Sequence, residues 1–86
     1  MVLKAQDEPE VADAIDRLAQ ARVPVVTYAT DVPNSARCAY VGIDNHGAGV
    51  TAAYLMNQWL GTTEADVLIT LSRSAFRGEG EREVGF

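Results

Sequence analysis

The chain has 86 residues, 48% of them hydrophobic and 22% charged, a balance that excludes wholesale disorder and fibrous repeats and allows one small domain or part of one. Seven Lys and Arg against twelve Asp and Glu leave a net charge of -5, which repels phosphate backbones, so this segment alone is not expected to bind nucleic acid. The single cysteine, Cys38, excludes an internal disulfide framework and makes the reducing cytoplasm the simplest compartment, and no apolar run reaches the roughly 18 residues that cross a bilayer.

Residues 1–4, "MVLK", read as the tail of a strand, with no basic region and apolar stretch of an export signal behind them. Between residues 7 and 21, Val11, Ala14, Ile15 and Leu18 recur at helical spacing, and Asp7, Glu8 and Glu10 stand at the front, where they favour the helix dipole. The run "VPVVTYA", residues 23–29, is β-branched and apolar as in a parallel strand, with Pro24 tolerated near its start. "TDVPNSAR", residues 30–37, collects turn formers into a loop at that strand's carboxyl end, and "AYVGI", residues 39–43, reads as a short strand.

Asp44 or Asn45 then caps a helix carrying Ala48, Ala52, Leu55, Met56 and Trp59 on one face, which Gly61 stops. "DVLITLS", residues 66–72, gives another buried strand, followed by the loop "SRSAFRGEG" and a helix start at "EREVGF", residues 81–86. Alternation of this kind implies an α/β fold of parallel strands with right-handed crossovers, in which ligands bind at the strands' carboxyl ends. Both ends of the chain fall inside secondary structure, so it reads as a fragment.

Motifs for catalysis are missing. The glycines of "GIDNHGAG", residues 42–49, match neither the Gly-Lys-Ser/Thr end of a phosphate loop nor GxGxxG, and are read instead as allowing close packing behind a capped helix start. Asp44 and His46 with Ser72 or Ser74 form no recognisable triad, there is no GxSxG elbow, and one His with one Cys gives no metal-ligand spacing; no cofactor is expected. Arg82 stands out, because a guanidinium beside a polar loop at a strand's carboxyl end can donate two parallel hydrogen bonds to a hydroxylated or anionic ligand. The alternative is a surface pair with Glu79 or Glu83.

Taken together, "VPVVTYATDVPNSARCAYVGIDNHGAGVTAAYL" and the terminal Arg82-x-x-Gly85-Phe86 resemble the effector-binding domain of the lactose-repressor (LacI-type) family of bacterial transcription regulators, whose fold is shared with periplasmic sugar-binding proteins. The resemblance spans essentially the whole chain. It implies a Rossmann-like, periplasmic-binding-protein type I fold, incomplete, with residues 1–43 in a first lobe, residues 44–86 opening a second, and the ligand between them. It further implies that Arg82 grips the ligand and that Phe76 and Gly78 line the loop after the second lobe's strand. Family members often carry Asp where this chain has Ala29, which leaves Asp31, two residues on, as the substitute.

The resemblance implies a protein whose sugar-like effector shifts DNA-binding states through a helix-turn-helix region that this chain lacks; the alternative is a periplasmic sugar-binding protein of a transporter, and neither is an enzyme. No membrane partner is expected. With one of the three crossovers that normally join the lobes, exposed sheet edges and apolar faces are expected to drive homo-oligomerisation.

Overall fold

A computed structural model describes residues 1–73 and 75–86. Three short strands, β1 (Val2–Leu3), β2 (Val26–Tyr28) and β3 (Ala39–Val41), form a parallel sheet in the order β1-β2-β3. Val2 pairs with Val26, and Val26 in turn with Ala39. Pro24 stays outside the ladder, where its missing N–H costs nothing, and its carbonyl accepts from the amino group of Met1 at 2.7 Å.

Helix α1 (Pro9–Gln20) connects β1 to β2. It starts two residues later than its apolar spacing predicts, because Asp7 is committed elsewhere: its N–H donates to the Ala75 carbonyl at 2.8 Å. Pro9 at the first turn suits a position whose N–H has no helical partner. Ile15 on its inner face meets Val25 and Val32 in a core flanked by Leu3, Val11, Ala12 and Leu18.

Parallel neighbours are usually joined through a helix. Here β2 and β3 are joined by a loop, residues 29–38, which itself sends Val32, fully buried, into the core. The loop is sewn to its surroundings by Ser35 Oγ donating to the Val32 carbonyl at 2.6 Å, the Ala36 N–H to Asp16 at 2.7 Å and the Cys38 N–H to the Val25 carbonyl at 2.8 Å.

Helix α2 (Asn45–Leu60) begins at Asp44, whose carboxylate accepts from the Gly47 N–H at 3.0 Å, and ends at Gly61 in the left-handed region, as the sequence predicts. The expected apolar face of α2 is not covered, however: Leu55 and Trp59 are exposed, Trp59 by 91%. The helix instead turns its first two turns, with Asn45 and Gly49 buried, against α3 (Arg77–Gly85).

Two expectations need correction. Residues 63–71 form no helix or strand, and Val67, Leu68, Ile69 and Leu71 are exposed; a strand exists only by pairing, and no other strand among the described residues lies beside this segment. Helix α3 begins at Arg77, four residues earlier than predicted, so that Arg82 sits in its last turn. Gly78 and Gly80, read as loop formers, lie inside the helix.

Gly49 and Gly85 let the two helix backbones touch. A Cβ on Gly49 would collide with the Arg82 carbonyl oxygen and lie 2.9 Å from the Phe86 nitrogen, while one on Gly85 would collide with the His46 carbonyl oxygen. Gly80 faces open space. Ala gains up to about 1 kcal/mol over Gly inside a helix, whereas overpacking costs roughly 1–3 kcal/mol. Gly80→Ala is therefore expected to raise the urea midpoint and Gly49→Ala to lower it; equal shifts of the same sign would show that the helix contact does not constrain the fold.

Candidate functional site

The carboxyl ends of all three strands open into one cleft of about 430 Å³, within the range of roughly 300–1,000 Å³ usual for small-molecule sites. Lys4 follows β1, Ala29 and Thr30 follow β2, and Gly42 and Ile43 follow β3. The opposite wall comes from Phe76, Glu79 and Arg82, spaced three apart so that they share one face of α3 and its cap. A neighbouring hollow of about 380 Å³ lies between α2, α3 and the extended segment 69–72, and Glu79 and Arg82 border both. The strand-end cleft is the better candidate, because there three loops and a helix converge.

The cleft floor is held by a hydrogen-bond network. Ala29 adopts φ 64°, a left-handed backbone that costs a residue with a Cβ roughly 1–2 kcal/mol. That turn aims its carbonyl at Asn45, whose Nδ2 donates to it at 3.2 Å and to the Tyr40 hydroxyl at 3.3 Å. The Tyr40 hydroxyl in turn donates to the Ile43 carbonyl at 3.0 Å. Asn45 is 3% exposed, so this network replaces the water its amide would otherwise need. Such strain at the end of a strand marks a position held by its surroundings.

The far wall is tied to the floor in three places. The Gly78 N–H donates to Thr30 Oγ1 at 2.7 Å in a buried contact, the Asp7 N–H to the Ala75 carbonyl, and Arg77 pairs with Asp7 at 3.3 Å. Glu79 Oε2 accepts from the Ser72 and Arg73 N–H groups at 2.8 and 3.3 Å, and Oε1 from the Ser72 hydroxyl at 2.6 Å. These Ser72 hydrogen bonds, with the Arg73 N–H and the charge of Arg82, outweigh desolvation and hold its carboxyl below the usual glutamate value.

A model of the periplasmic binding protein domain matches residues 1–86. The chain belongs to the periplasmic binding protein domain family. Among solved structures it is similar to one titled XylFII molecule, at 33% identity and TM-score 0.85 over 99% of this chain and 31% of that one. It is also similar to the XylFII-LytSN complex, at 33% identity and TM-score 0.86 with the same coverage. A third is GanP, a glucose-galactose binding protein from Geobacillus stearothermophilus, at 32% identity and TM-score 0.86 over 99% of this chain and 30% of that one. The chain thus spans about a third of the length of these structures. No curated protein matches it.

Within this periplasmic binding protein domain the four residues singled out from the sequence separate. Arg82 and Phe76 line the cleft. Gly78 lies behind it, buried, where a Cβ would stand 2.9 Å from Asn45 Nδ2 and 3.2 Å from the Ala29 carbonyl oxygen. Asp31 does not line the cleft: its Oδ1 accepts from Thr27 Oγ1, the Val32 N–H and Arg37 Nε at 2.7, 2.8 and 2.7 Å, and its Oδ2 from Arg37 Nη2 at 2.9 Å. Of the surface pairing considered for Arg82, only a through-space effect on Glu79 is present; among the described residues its guanidinium makes no salt bridge.

Lys4 and Thr30 were not singled out from the sequence, and Asn45 and Glu79 were read there only as a helix cap and an ion-pair partner. Lys4 and Thr30 follow strands, and Glu79 shares the three-residue spacing of Phe76 and Arg82, a signal visible only once α3 is known to begin at Arg77. Ser72, considered as a nucleophile, donates its hydroxyl to Glu79 and has no imidazole beside it; Ser74 lies outside the described residues. Asp44 is a helix cap. Among the described residues, no cluster of three His, Cys, Asp or Glu side chains could hold a metal ion.

Burial pushes the Asp31 carboxyl up, but the hydrogen bonds from Arg37, Thr27 and Val32 and the charge of Arg37 prevail and hold it below its ordinary value of 3.8. A carboxyl lowered in the folded state contributes stability above its unfolded value, and that contribution is lost as pH falls through the folded one. Wild-type stability is therefore expected to drop as pH falls below about 4, and Asp31→Asn to be destabilising at pH 7 with a shallower acid decline. Parallel acid profiles for the two chains would show that the Asp31 cluster carries no net stability.

Proposed function

We propose that the chain is part of a sugar-binding receptor domain, in which a sugar sits against the strand-end cleft and Arg82 donates its guanidinium hydrogens to the ligand. Residues 1–43 belong to one lobe and residues 44–86 to the other, so the ties from Gly78 to Thr30 and from Arg77 to Asp7 hold the two walls at binding distance. The observation that carries this reading is Arg82 facing three strand ends across a cleft with no salt bridge of its own among the described residues. A cavity-lining guanidinium that makes no salt bridge keeps its fork of donors for a ligand.

Similarity over nearly the whole chain to a glucose-galactose binding protein supports a receptor over a regulator. The transcription-regulator reading rests on the sequence resemblance, chiefly "VGIDN" and Arg82-x-x-Gly85-Phe86. Reading the gene on both sides separates the two: a helix-turn-helix upstream establishes the regulator, an export signal the receptor. In either setting the domain binds ligand and catalyses nothing.

Arg82 is tested in the protein that carries this chain, by calorimetric titration with glucose and galactose. Losing a charge-assisted hydrogen bond costs roughly 1.5–3 kcal/mol, so Arg82→Ala is expected to weaken binding on the order of 10- to 100-fold. Arg82→Lys is expected to recover only part of it, since an ammonium cannot reproduce the fork. Wild-type affinity in both variants would remove Arg82 from the site.

The uncovered α2 face supports a further part of the reading, that the isolated 86-residue chain associates with copies of itself through Tyr54, Leu55 and Trp59. Trp59 is the single tryptophan. Its emission is expected to shift to the blue as the concentration of the isolated chain rises through the micromolar range, in step with light scattering; a clean monomer with unshifted emission would refute association.

A further inference from the structure

We propose that a polar seam closes the two halves of the strand-end cleft before any ligand arrives, with Asp7 and Thr30 as its positioning residues. The seam makes ligand affinity depend on salt even when the ligand is neutral. This rests on the reading of residues 1–43 and 44–86 as two lobes with a ligand between them, and adds how the lobes are held together.

The apolar core of Ile15, Val25 and Val32 lies wholly within residues 1–43. On the other side, α2 and α3 touch backbone to backbone at Gly49 and Gly85, so they move as one body. Residues 75–78, at the start of α3, meet the first lobe through a row of polar contacts: the Asp7 N–H to the Ala75 carbonyl at 2.8 Å, Asp7 Oδ2 to Arg77 at 3.3 Å, and the Gly78 N–H to Thr30 Oγ1 at 2.7 Å. Lys4 Nζ over the Phe76 ring, 5.6 Å from its centroid, lies in the same row.

A polar seam can part. Its hydrogen bonds exchange for bonds to water at small net cost, whereas an apolar core brought into water has no such replacement. Thr30 is the buried member, 3% exposed, and its hydroxyl oxygen is the acceptor that the Gly78 N–H would otherwise lack. Asp7 is the charged member and engages twice, through its N–H and its carboxylate. Glu81, four residues along α3, holds Arg77 Nε at 2.8 Å and keeps the guanidinium aimed across the seam. The Arg77 and Asp7 side chains are 45% and 27% exposed, so salt screens their attraction and weakens the seam. Arg82 rides on the same helix, so a ligand that touches it binds the closed arrangement, and apparent affinity falls with the share of molecules that have parted.

The test reads the seam with and without ligand, in the protein that carries this chain. Native-state amide exchange is measured at Gly78, across the seam, and at Cys38, whose N–H donates to the Val25 carbonyl inside the first lobe. Asp7→Asn keeps the backbone bond to Ala75 but loses the charge, and is expected to speed Gly78 exchange roughly two- to fivefold; rising salt is expected to do the same in the wild type. Thr30→Val, which leaves the Gly78 N–H without its acceptor, is expected to speed it on the order of tenfold, Thr30→Ser to restore protection, and Cys38 exchange to hold steady throughout. Calorimetric titration with galactose, a neutral ligand, is expected to show affinity falling with salt in the wild type and less so in Asp7→Asn. Gly78 exchange that ignores both salt and Asp7→Asn, or Gly78 and Cys38 accelerating together in Asp7→Asn, overturns the seam. Salt-sensitive Gly78 exchange in a protein that binds neither glucose nor galactose leaves the seam standing and removes the sugar reading instead.

Discussion

The four donors gathered on the Asp31 carboxylate are the constraint on which the cleft depends. A parallel pair joined without a crossover helix must close its connection through a loop, and a ten-residue loop has many ways to do so. Arg37 reaching back to Asp31 through two nitrogens, with Thr27 and the Val32 N–H on the same carboxylate, selects one of them. That choice drives Val32 into the core beside Ile15 and Val25 and leaves Ala29 and Thr30 at the edge of the cleft. The ion pair is partly shielded, with about a fifth to a quarter of each side chain exposed. Its worth lies less in raw Coulomb attraction than in the loop conformations it excludes.

Thr30 carries the constraint onward. Its hydroxyl oxygen accepts from the buried Gly78 N–H, so the register of α3 against the sheet follows from the path of the β2–β3 loop. The glycine contacts between α2 and α3 fix the remaining freedom, because backbones that touch at Gly49 and Gly85 cannot slide without collision. Arg82 is thereby positioned from two sides, by the loop through Gly78 and by α2 through its own carbonyl. In the role proposed for it, Arg82 gains affinity from being held in place before a ligand arrives.

The shape agrees with this division between a fixed site and an open periphery. The Cα radius of gyration is 16.3 Å, against roughly 12 Å for a compact chain of this length. The sheet, α1 and the α2–α3 contact form the ordered part around the cleft. The outer half of α2 and the apolar segment near Leu68 extend without cover, as befits a chain that spans about a third of the structures it resembles. Their apolar residues make sense as faces awaiting the remainder of a larger domain.

Local chemistry made the first strand run, the turn-rich loop, the Asp44 cap and the Gly61 stop legible from residues alone, because caps, left-handed stops and β-branched runs act over a few neighbouring residues. The α/β class and the parallel sheet followed from the order of those elements, and the family resemblance led to the binding-protein fold. Helix α3 was legible only in part: Gly78 and Gly80 disfavour helix locally, and packing of α3 on α2 overrides them. The segment 66–72 reads as a strand by composition, but a strand is a pair, and its pairing is not a property of the segment. Which carboxylate would be free for a ligand was likewise beyond the sequence. Asp31 is consumed because Arg37, six residues along, folds back within 3 Å of it, and Lys4 meets Phe76 and shares a cleft with Arg82 only because the strand ends and α3 converge. Residue types and their order determined which chemistry this chain can offer; distances that arise only on folding decided which of those groups stay available, since a hydrogen-bonding group satisfied inside the protein has little left to give a ligand.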